Sequence, residues 1–502
     1  MKLVPLLACL LFTSGVIAQG AKPEEKSAAP APSPGAPVET KGTVTIKGQT
    51  ISYTARTGYL TIKDEAGKPK ANIFFTAYTK DGVSDLSKRP VTYTFNGGPG
   101  SASLWLHLGC IGPKRIPMTE KGEALSPPYS LVNNEYSWLD KTDLVFIDPV
   151  NTGYSRAVTG ENEKQFLGYV EDIESVGEFI RLYTTRYGRW GSPKFLAGES
   201  YGTTRAAGLS GYLQDKYNLY INGVALISSI LNFQTARFDR GNDLPYALFL
   251  PTYAAMAWYH KKIGAEYQGD LAKTMLAVRE FARNEYNTAL MKGDLLTEAE
   301  ENQVIEKLSR FTGLSKEYLK NTRMRIEIGR FVKELLRDEG KTAGRLDGRI
   351  TGTDFDNAGD RYEFDPSLDA TISGPYSTAM NQYVRQDLKY ENDLPYLVLT
   401  SRVYPWNYNN VQNQYLNVAE TLRQAMSKNP YLKVWVGAGY YDLATPFFAA
   451  EYTFQHMGLK PEQRKNVSFT YYEAGHMMYI HKPSLIQLKK DADTFFDNAL
   501  KP

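Results

Sequence analysis

Alternating apolar and polar residues characterise the chain between residues 43 and 75. Residues 43–62 alternate on both sides of Gly48-Gln49, which predicts an antiparallel hairpin that turns at this pair. Residues 59–62 and 71–75 alternate in the same way, and the Gly-Lys-Pro sequence between them is typical of a turn. The first part of the folded chain is therefore predicted to contain two successive hairpins.

Short apolar runs follow at intervals along the chain. They comprise residues 91–95, 195–197, 434–439 and 467–472. Runs of this length without alternation are typical of strands that are buried on both faces of a parallel sheet. The carboxyl ends of such strands gather the loops that carry function. We therefore expect the residues that follow these runs to lie close together.

The pattern changes to a helical period in residues 231–390, where Leu, Ala, Glu, Lys and Arg predominate. Apolar residues recur at helical spacing in residues 271–287 and 297–311, and the second segment opens with a capping-box pattern at Thr297. We interpret the whole region as a mainly helical cap inserted between core strands, above the active site. Helices that only cover a sheet face are the alternative. Residues 241–246 could equally reach the pocket or stay outside it.

The N-terminus has the composition of a processing segment. Lys2 precedes an apolar stretch up to Ala18, which is too short for a lasting membrane span and predicts a cleaved signal peptide. Cys9 comes too early for a lipoprotein signal, and a Pro/Ala-rich stretch then predicts a disordered linker. The predicted divisions are signal peptide 1–18, linker 19–42, first part of the core 43–230, helical cap 231–390 and second part of the core 391–502.

The most informative motif is Gly198-Glu199-Ser200-Tyr201-Gly202, which lies between an apolar run and a helical pattern. A serine between two glycines at a strand-to-helix turn is the nucleophile elbow of α/β-hydrolases. The glycines permit the strained backbone that exposes the serine hydroxyl. The motif predicts an α/β-hydrolase fold, in which a central mixed, mostly parallel sheet is flanked by helices.

Two further residues complete a catalytic triad in the chain order of this fold. Asp442 follows the run 434–439, and His476 follows the run 467–472. A serine hydroxyl is a weak nucleophile until a base removes its proton, which His476 would do while Asp442 holds the imidazole in one tautomer. Taken alone, Asp442 is explained as a turn residue and His476 as a partly buried histidine. The joint pattern favours the triad with Ser200.

The glycine-rich loop Asn96-Gly97-Gly98-Pro99-Gly100 follows the first apolar run and predicts an oxyanion hole. In this fold a loop after an early strand supplies one backbone N–H, and the residue after the nucleophile, here Tyr201, supplies the other. Two such donors stabilise the negative charge that develops on the substrate carbonyl oxygen. A plain turn is the alternative for the loop.

The chain resembles the serine carboxypeptidase family. The resemblance lies in the Asn-Gly-Gly-Pro-Gly loop, in Tyr136-Ser137-Trp138, in residues 145–155, in the glutamate-containing elbow, in Asp442 and in Gly475-His476-Met477. The resemblance implies that the triad consists of Ser200, Asp442 and His476 and that the oxyanion amides belong to Gly98 and Tyr201. It further implies that the C-terminal carboxylate of a peptide is bound by Asn96, Gly97 and Glu199. Met477 is implied to line the substrate pocket.

The chain also departs from the usual family pattern. Eukaryotic members commonly carry a cysteine where Ser101 stands, and Met477 is followed by Met478-Tyr479 where Val-Pro is more usual. We interpret the chain as a bacterial-type member. The departures leave its side-chain preference around the scissile bond open.

The carboxylate-binding role implied for Glu199 has a physical basis. A carboxyl group attracts the bound carboxylate of a peptide only when it carries a proton. Two carboxyl groups at hydrogen-bonding distance share a proton, which raises the apparent pKa of the pair. Neutral Glu199, with Asn96 beside it, would donate to the terminal carboxylate, so we expect binding to be favoured at acidic pH. A charge that only stabilises a helix N-terminus is the alternative.

Composition narrows the list of partners. The chain has 502 residues and a net charge of +3, which gives no reason to expect a nucleic-acid or anionic-lipid partner. After signal cleavage only Cys110 remains, so no disulfide is expected. Acidic residues between 354 and 365 fit a calcium loop poorly, so we expect no metal, and the predicted chemistry needs no cofactor.

These observations predict an exported serine carboxypeptidase, periplasmic or secreted, that hydrolyses the C-terminal peptide bond through an acyl-enzyme on Ser200. Its partners would be peptides with a free C-terminus. An acyltransferase or esterase with the same triad is the closest alternative, and a non-catalytic peptide-binding protein is a further one. The sequence leaves the oligomeric state open.

Overall fold

The strands predicted from the sequence come together in one ten-stranded sheet. The structure is a computed structural model that describes residues 35–501, so the predicted signal peptide and most of the predicted linker lie outside the described residues. The strands are β1 (Val38–Ile46), β2 (Gln49–Lys63), β3 (Pro69–Lys80), β4 (Val91–Phe95), β5 (Lys114–Arg115), β6 (Val132–Asn133), β7 (Asp143–Ile147), β8 (Arg156–Ala157), β9 (Lys194–Ser200), β10 (Gly223–Ser229), β11 (Thr342–Ala343), β12 (Thr351–Gly352), β13 (Lys433–Gly439) and β14 (Val467–Tyr472). The sheet has the order β1-β2-β3-β7-β4-β9-β10-β13-β14, and β8 pairs with β3.

Strands β1, β2 and β3 form the two predicted hairpins, and their pairings are antiparallel. The first hairpin turns at Lys47 and Gly48, and Gly48 has a φ of 78°, in the left-handed region that favours glycine. Because β1 begins at Val38, the prediction of a linker up to residue 42 is wrong. Most positions of this edge strand alternate between half-buried and exposed, and such positions tolerate polar residues. The composition of the strand therefore resembles that of a linker.

Helices cover both faces of the sheet. They are α1 (Leu104–Leu106), α2 (Tyr169–Arg186), α3 (Tyr201–Tyr217), α4 (Leu244–Tyr259), α5 (Leu271–Phe281), α6 (Asn287–Lys292), α7 (Glu298–Thr312), α8 (Lys316–Asn321), α9 (Ile328–Glu334), α10 (Ser373–Gln386), α11 (Ala419–Lys428), α12 (Phe447–Gln455), α13 (Pro461–Arg464) and α14 (Lys482–Ala499). Along β9, Phe195 packs in a core with α14, whereas Leu196 packs in a second core with α2, α3 and α11. Since β7, β4, β9, β10, β13 and β14 are parallel, the predicted fold class is confirmed.

The connection between β10 and β13 contains α4 to α11. Helices α4, α5, α7 and α9 share an apolar core of their own with α12. The predicted capping box is present, because the Thr297 and Glu300 side chains each accept a hydrogen bond from the other residue's backbone N–H. Helix α10 instead packs in the main core, beside Tyr53 and Tyr78 of the second hairpin. Within residues 35–501, none of the helices has both the length and the apolar character needed to cross a bilayer.

Candidate active site

The carboxyl ends of β4, β9, β13 and β14 bring the predicted site residues to one edge of the sheet. Asn96 follows β4, Ser200 ends β9, and Asp442 and His476 lie in the loops after β13 and β14. Strands β4 and β9 pair with Phe95 opposite Gly198, so the next residues of the two strands, Asn96 and Glu199, are neighbours. The position of each residue therefore follows from the register of the parallel strands.

Ser200 stands at the junction of β9 and α3 with a φ of 60° and a ψ of −131°. A positive φ is costly for a residue with a side chain, and such strain persists where the surrounding structure enforces it. A Cβ on Gly198 would collide with the carbonyl group of Gly202, and a Cβ on Gly202 would lie 2.7 Å from the carbonyl oxygen of Phe95. The two glycines are thus required because strand, helix and loop backbones are in direct contact.

Asp442 and His476 form a buried hydrogen-bonded pair. His476 Nδ1 lies 2.8 Å from Asp442 Oδ2, and the carboxylate also accepts from the Ala444 N–H at 2.7 Å and the Thr445 hydroxyl at 2.6 Å. Burial opposes charge on both groups, but each is stabilised by its partner. The pKa of Asp442 is therefore lowered and the pKa of His476 is raised. This arrangement leaves His476 Nε2 as the ring nitrogen that can accept a proton.

Ser200 and His476 line the same cleft. Within residues 35–501 the ring of His476 has hydrogen-bond partners only at Nδ1, Asp442 and Thr445, so it is not joined to the hydroxyl of Ser200. In structures without substrate, catalytic hydrogen bonds are often long and shorten only in the complex. The arrangement fits a base that takes up its hydrogen bond to the nucleophile when the cleft is filled.

The loop after β4 lies against the elbow. A Cβ on Gly97 would collide with the N–H of Tyr201, and Gly98 has a φ of 101°. Within the described part of the chain, the N–H groups of Gly98 and Tyr201 donate no hydrogen bond. Both donors are therefore available for an oxygen atom of a ligand, as expected for an oxyanion hole.

A strap formed by residues 397–400 holds this loop from the other side. The N–H of Thr400 donates to the carbonyl oxygen of Gly100 at 3.0 Å, and Leu399 bridges to Ser101. A Cβ on Gly100 would lie 2.5 Å from the carbonyl oxygen of Thr400. The strap is thus in backbone contact with the predicted oxyanion loop.

Glu199 and Asn96 are almost completely buried beside the nucleophile, at 3% and 1% exposure. Glu199 Oε2 accepts a 2.6 Å hydrogen bond from the Tyr479 hydroxyl, and Asn96 Oδ1 accepts from the Leu106 N–H at 3.2 Å. Among residues 35–501, the buried Asn96 Nδ2 has no hydrogen-bond partner. Burial raises the pKa of Glu199 to about 7, against the opposing effects of His476 and Tyr479. The pair thus combines an acid that holds its proton near neutral pH with an unused amide donor.

These residues open into a cleft of about 850 Å³. We call its lining residues 96–105, 199–201 and 444–477 the floor, and its lining residues between 230 and 408 the roof. Met477 belongs to the floor, as the resemblance implies. Residues 241–246 stay outside, since Gly241 and Tyr246 line a separate groove, whereas Phe249 one turn further along α4 lines the cleft.

The sequence interpretation missed Tyr479, Thr445 and most of the roof. Tyr479 and Thr445 each lie three residues after a predicted triad member, and the only signal was that Tyr479 departs from the family pattern. The roof combines apolar Phe249, Ile328 and Leu399 with cationic side chains. These residues come from separate segments, so no local pattern identifies them.

Within residues 35–501, no group of three or more His, Cys, Asp or Glu side chains is placed to hold a metal ion. In the acidic segment 354–365, the Asp354 carboxylate is buried and accepts hydrogen bonds from Lys333 and Thr342. An ion pair therefore occupies the first position of the calcium-loop pattern.

A family model described as serine carboxypeptidase matches residues 46–485. The chain is 28% identical over 153 residues to serine carboxypeptidase-like 36 of Arabidopsis thaliana, covering 30% of this chain and 29% of that protein. It is 31% identical over 138 residues to the pheromone-processing carboxypeptidase KEX1 of Arthroderma otae, covering 26% of this chain and 19% of that protein. The matches thus span less than a third of these curated relatives.

A solved structure has a similar fold over most of the chain. The prohormone-processing carboxypeptidase KEX1(delta)p of Saccharomyces cerevisiae superposes with a TM-score of 0.55 and 16% identity, covering 89% of this chain and 92% of that one. At this identity the likeness concerns the fold alone.

Proposed function

Because the chain belongs to the serine carboxypeptidase family, we propose that it is a serine-type carboxypeptidase, a hydrolase that removes the C-terminal residue of peptides. The observation that carries the proposal is the buried pair of Glu199 and Asn96 beside Ser200. Glu199 has a raised pKa of about 7, and Asn96 Nδ2 is an unused donor. A terminal carboxylate would accept from both groups and bring the last peptide bond to the nucleophile.

The proposed reaction uses residues of the floor together with Asp442, which is hydrogen-bonded to the floor residue His476. Ser200 Oγ attacks the carbonyl carbon of the last peptide bond while His476 Nε2 takes its proton. The N–H groups of Gly98 and Tyr201 stabilise the oxyanion, and Asp442 stabilises the imidazolium ring. His476 then protonates the leaving amine, and the terminal amino acid departs. Water, activated by His476, releases the shortened peptide from the acyl-enzyme on Ser200.

The proposal implies a dependence on pH with a defined sign. Glu199 donates to the substrate carboxylate only while protonated, so binding is favoured below its folded pKa of about 7 and weakens above it. His476 must be neutral to accept the serine proton, and Asp442 raises its pKa, so the rate also falls at low pH. The expected profile of kcat/KM is bell-shaped, with its upper limb near neutral pH.

The test compares a blocked dipeptide as free acid and as C-terminal amide between pH 4 and pH 8, with Ser200→Ala as control. We expect serine-dependent release of the terminal residue from the free acid and much weaker release from the amide. If neither peptide is cleaved while a fluorophosphonate still labels Ser200, the acyltransferase or esterase alternative replaces the proposal. Absence of labelling would instead favour a peptide-binding protein without catalysis.

We also propose that the chain is exported and that it is a bacterial-type member of the family. We further propose that the insertion over residues 231–390 acts as a cap that selects substrates. Export is supported by the apolar stretch up to Ala18, and the bacterial type by Ser101 where eukaryotic members commonly carry cysteine. The N-terminal sequence of the mature protein tests export, because an N-terminus at Met1 would contradict signal cleavage.

A further inference from the structure

Tyr479 is a buried neighbour of Glu199 that the proposed mechanism does not use. Its hydroxyl donates to Glu199 Oε2 at 2.6 Å, and its side chain is 2% exposed. It lies in a short turn, Met478–Ile480, directly after the loop that carries His476. The same segment therefore positions both the proposed base and a hydrogen bond to the proposed carboxylate sensor.

This hydrogen bond has a fixed direction. Burial, together with the charge of Glu199, raises the pKa of the Tyr479 hydroxyl well above its ordinary value, so the hydroxyl keeps its proton. Among residues 35–501, Glu199 Oε2 is its one hydrogen-bond partner. The hydroxyl therefore donates to Oε2, and a proton on neutral Glu199 must sit on the other oxygen, Oε1. Within the same residues Oε1 has no hydrogen-bond partner, while the Glu199 side chain lines the cleft.

We propose that Tyr479 is a positioning residue that holds the acidic proton of Glu199 on Oε1, facing the incoming peptide carboxylate, and that sets the pH above which this carboxylate is no longer bound. The inference rests on the proposed carboxypeptidase function. It assigns Tyr479 no contact with the substrate. It explains why a hydroxyl-bearing side chain occupies this place, where an apolar one would leave both oxygens of Glu199 without a donor from the protein interior.

Several groups act on Glu199 besides Tyr479. Burial and the charge of Asp442 raise its pKa, while the charge of His476, the hydrogen bond from Tyr479 and the nearby amide of Asn96, which lies outside hydrogen-bond geometry, lower it. Among residues 35–501, the charge of Glu199 also acts on the buried Cys110 and Tyr376, which stay uncharged because burial raises their pKa. Tyr479 is thus a neighbour whose hydrogen bond to Glu199 can be removed without changing a charge or the triad.

The test is the pH dependence of kcat and KM for a free-acid peptide in Tyr479→Phe. A hydrogen bond to a carboxylate stabilises its charged form, so its loss raises the pKa of Glu199. We expect the upper limb of kcat/KM to move to higher pH by about one unit, a shift that corresponds to one hydrogen bond to a charged group. The change should appear in KM, because Tyr479 does not contact the reacting bond. KM at pH 5 should also rise severalfold, since the proton of Glu199 is no longer confined to Oε1.

Tyr376→Phe is the matched control, because it removes a buried hydroxyl near Glu199 that is not hydrogen-bonded to it. Its upper limb should coincide with that of the unmodified protein. Fluorophosphonate labelling of Ser200 at the normal rate shows that each variant is folded. An upper limb that stays in place in Tyr479→Phe, or moves equally in both variants, overturns the proposal.

A second variant tests the orientation independently of the shift. In Glu199→Gln, Tyr479 would donate to the amide oxygen and turn the NH₂ group toward the cleft. This variant should therefore still prefer the free acid over the amide, with no upper limb up to pH 9. In Glu199→Gln with Tyr479→Phe, the preference should fall severalfold. If Glu199→Gln alone loses all preference, the orientation is wrong, whereas a lack of preference in the unmodified protein contradicts the proposed function itself.

Discussion

The floor and the roof of the cleft are built in different ways. In the floor, Ser200 ends one parallel strand and His476 follows another, where a buried hydrogen bond to Asp442 holds the imidazole ring. Roof residues come from the connection between β10 and β13, and Leu399 at its rim is 52% exposed. The proposed chemistry would thus depend on positions that the sheet makes rigid, whereas the proposed substrate selection would depend on side chains that can change without disturbing the sheet. Substitutions in the two regions should differ in kind as well as in size.

The largest expected effect comes from the buried hydrogen bond between Asp442 and the floor residue His476. Asp442→Asn keeps the shape of the side chain but removes the charge that raises the pKa of His476 and fixes its tautomer. We expect kcat/KM for a free-acid peptide to fall about 10⁴-fold, as for other triads that lose this charge. Rapid peptide hydrolysis with unchanged circular dichroism would contradict the role of Asp442.

A smaller loss is expected from the loop that faces the elbow. Gly97→Ala places a methyl group against the N–H of Tyr201 and 2.8 Å from that of Gly202, so the loop must move away from the nucleophile. Displacing one oxyanion donor costs about 10²- to 10³-fold in kcat. Gly191→Ala is the matched control, because no atom lies within 4 Å of its added methyl group. Equal rates for the two variants would show that the loop is not part of the oxyanion hole.

The smallest expected effect concerns the charge of the roof. Arg345 lines the cleft, is half-buried, and within residues 35–501 has no ion pair with a carboxylate. Arg345→Met should lower kcat/KM for two peptides that differ in the residue beside the scissile bond. The loss should be about 10-fold larger for the peptide with glutamate than for the one with leucine, because only glutamate loses an ion pair with Arg345 in the cleft. Arg345→Lys should restore part of the difference. Equal losses on both peptides would place Arg345 at the terminal carboxylate instead.

The fold and the floor were largely predictable from the sequence, because local patterns determine them. Strands β4 and β14 have the predicted bounds, and each predicted triad residue lies at or just beyond a predicted strand end. The linker prediction was wrong at Val38, since the pairing of β1 with β2 orders a segment whose composition is that of a linker. The hydrogen bond from Tyr479 to Glu199 joins residues 280 positions apart, and no sequence pattern reports such a contact.

The strap over residues 397–400 constrains how such enzymes can be recombined. The strap lies at the C-terminal side of the insertion, yet it contacts the loop after β4. The N–H of Thr400 donates to the carbonyl oxygen of Gly100, and Leu399 forms a β-bridge with Ser101. A chimera that exchanges the whole connection between β10 and β13 would also replace the support of the loop at Gly98. A chimera that takes its roof from a relative and keeps the loop at Gly98 supported should therefore exchange the connection only up to a point before residue 397.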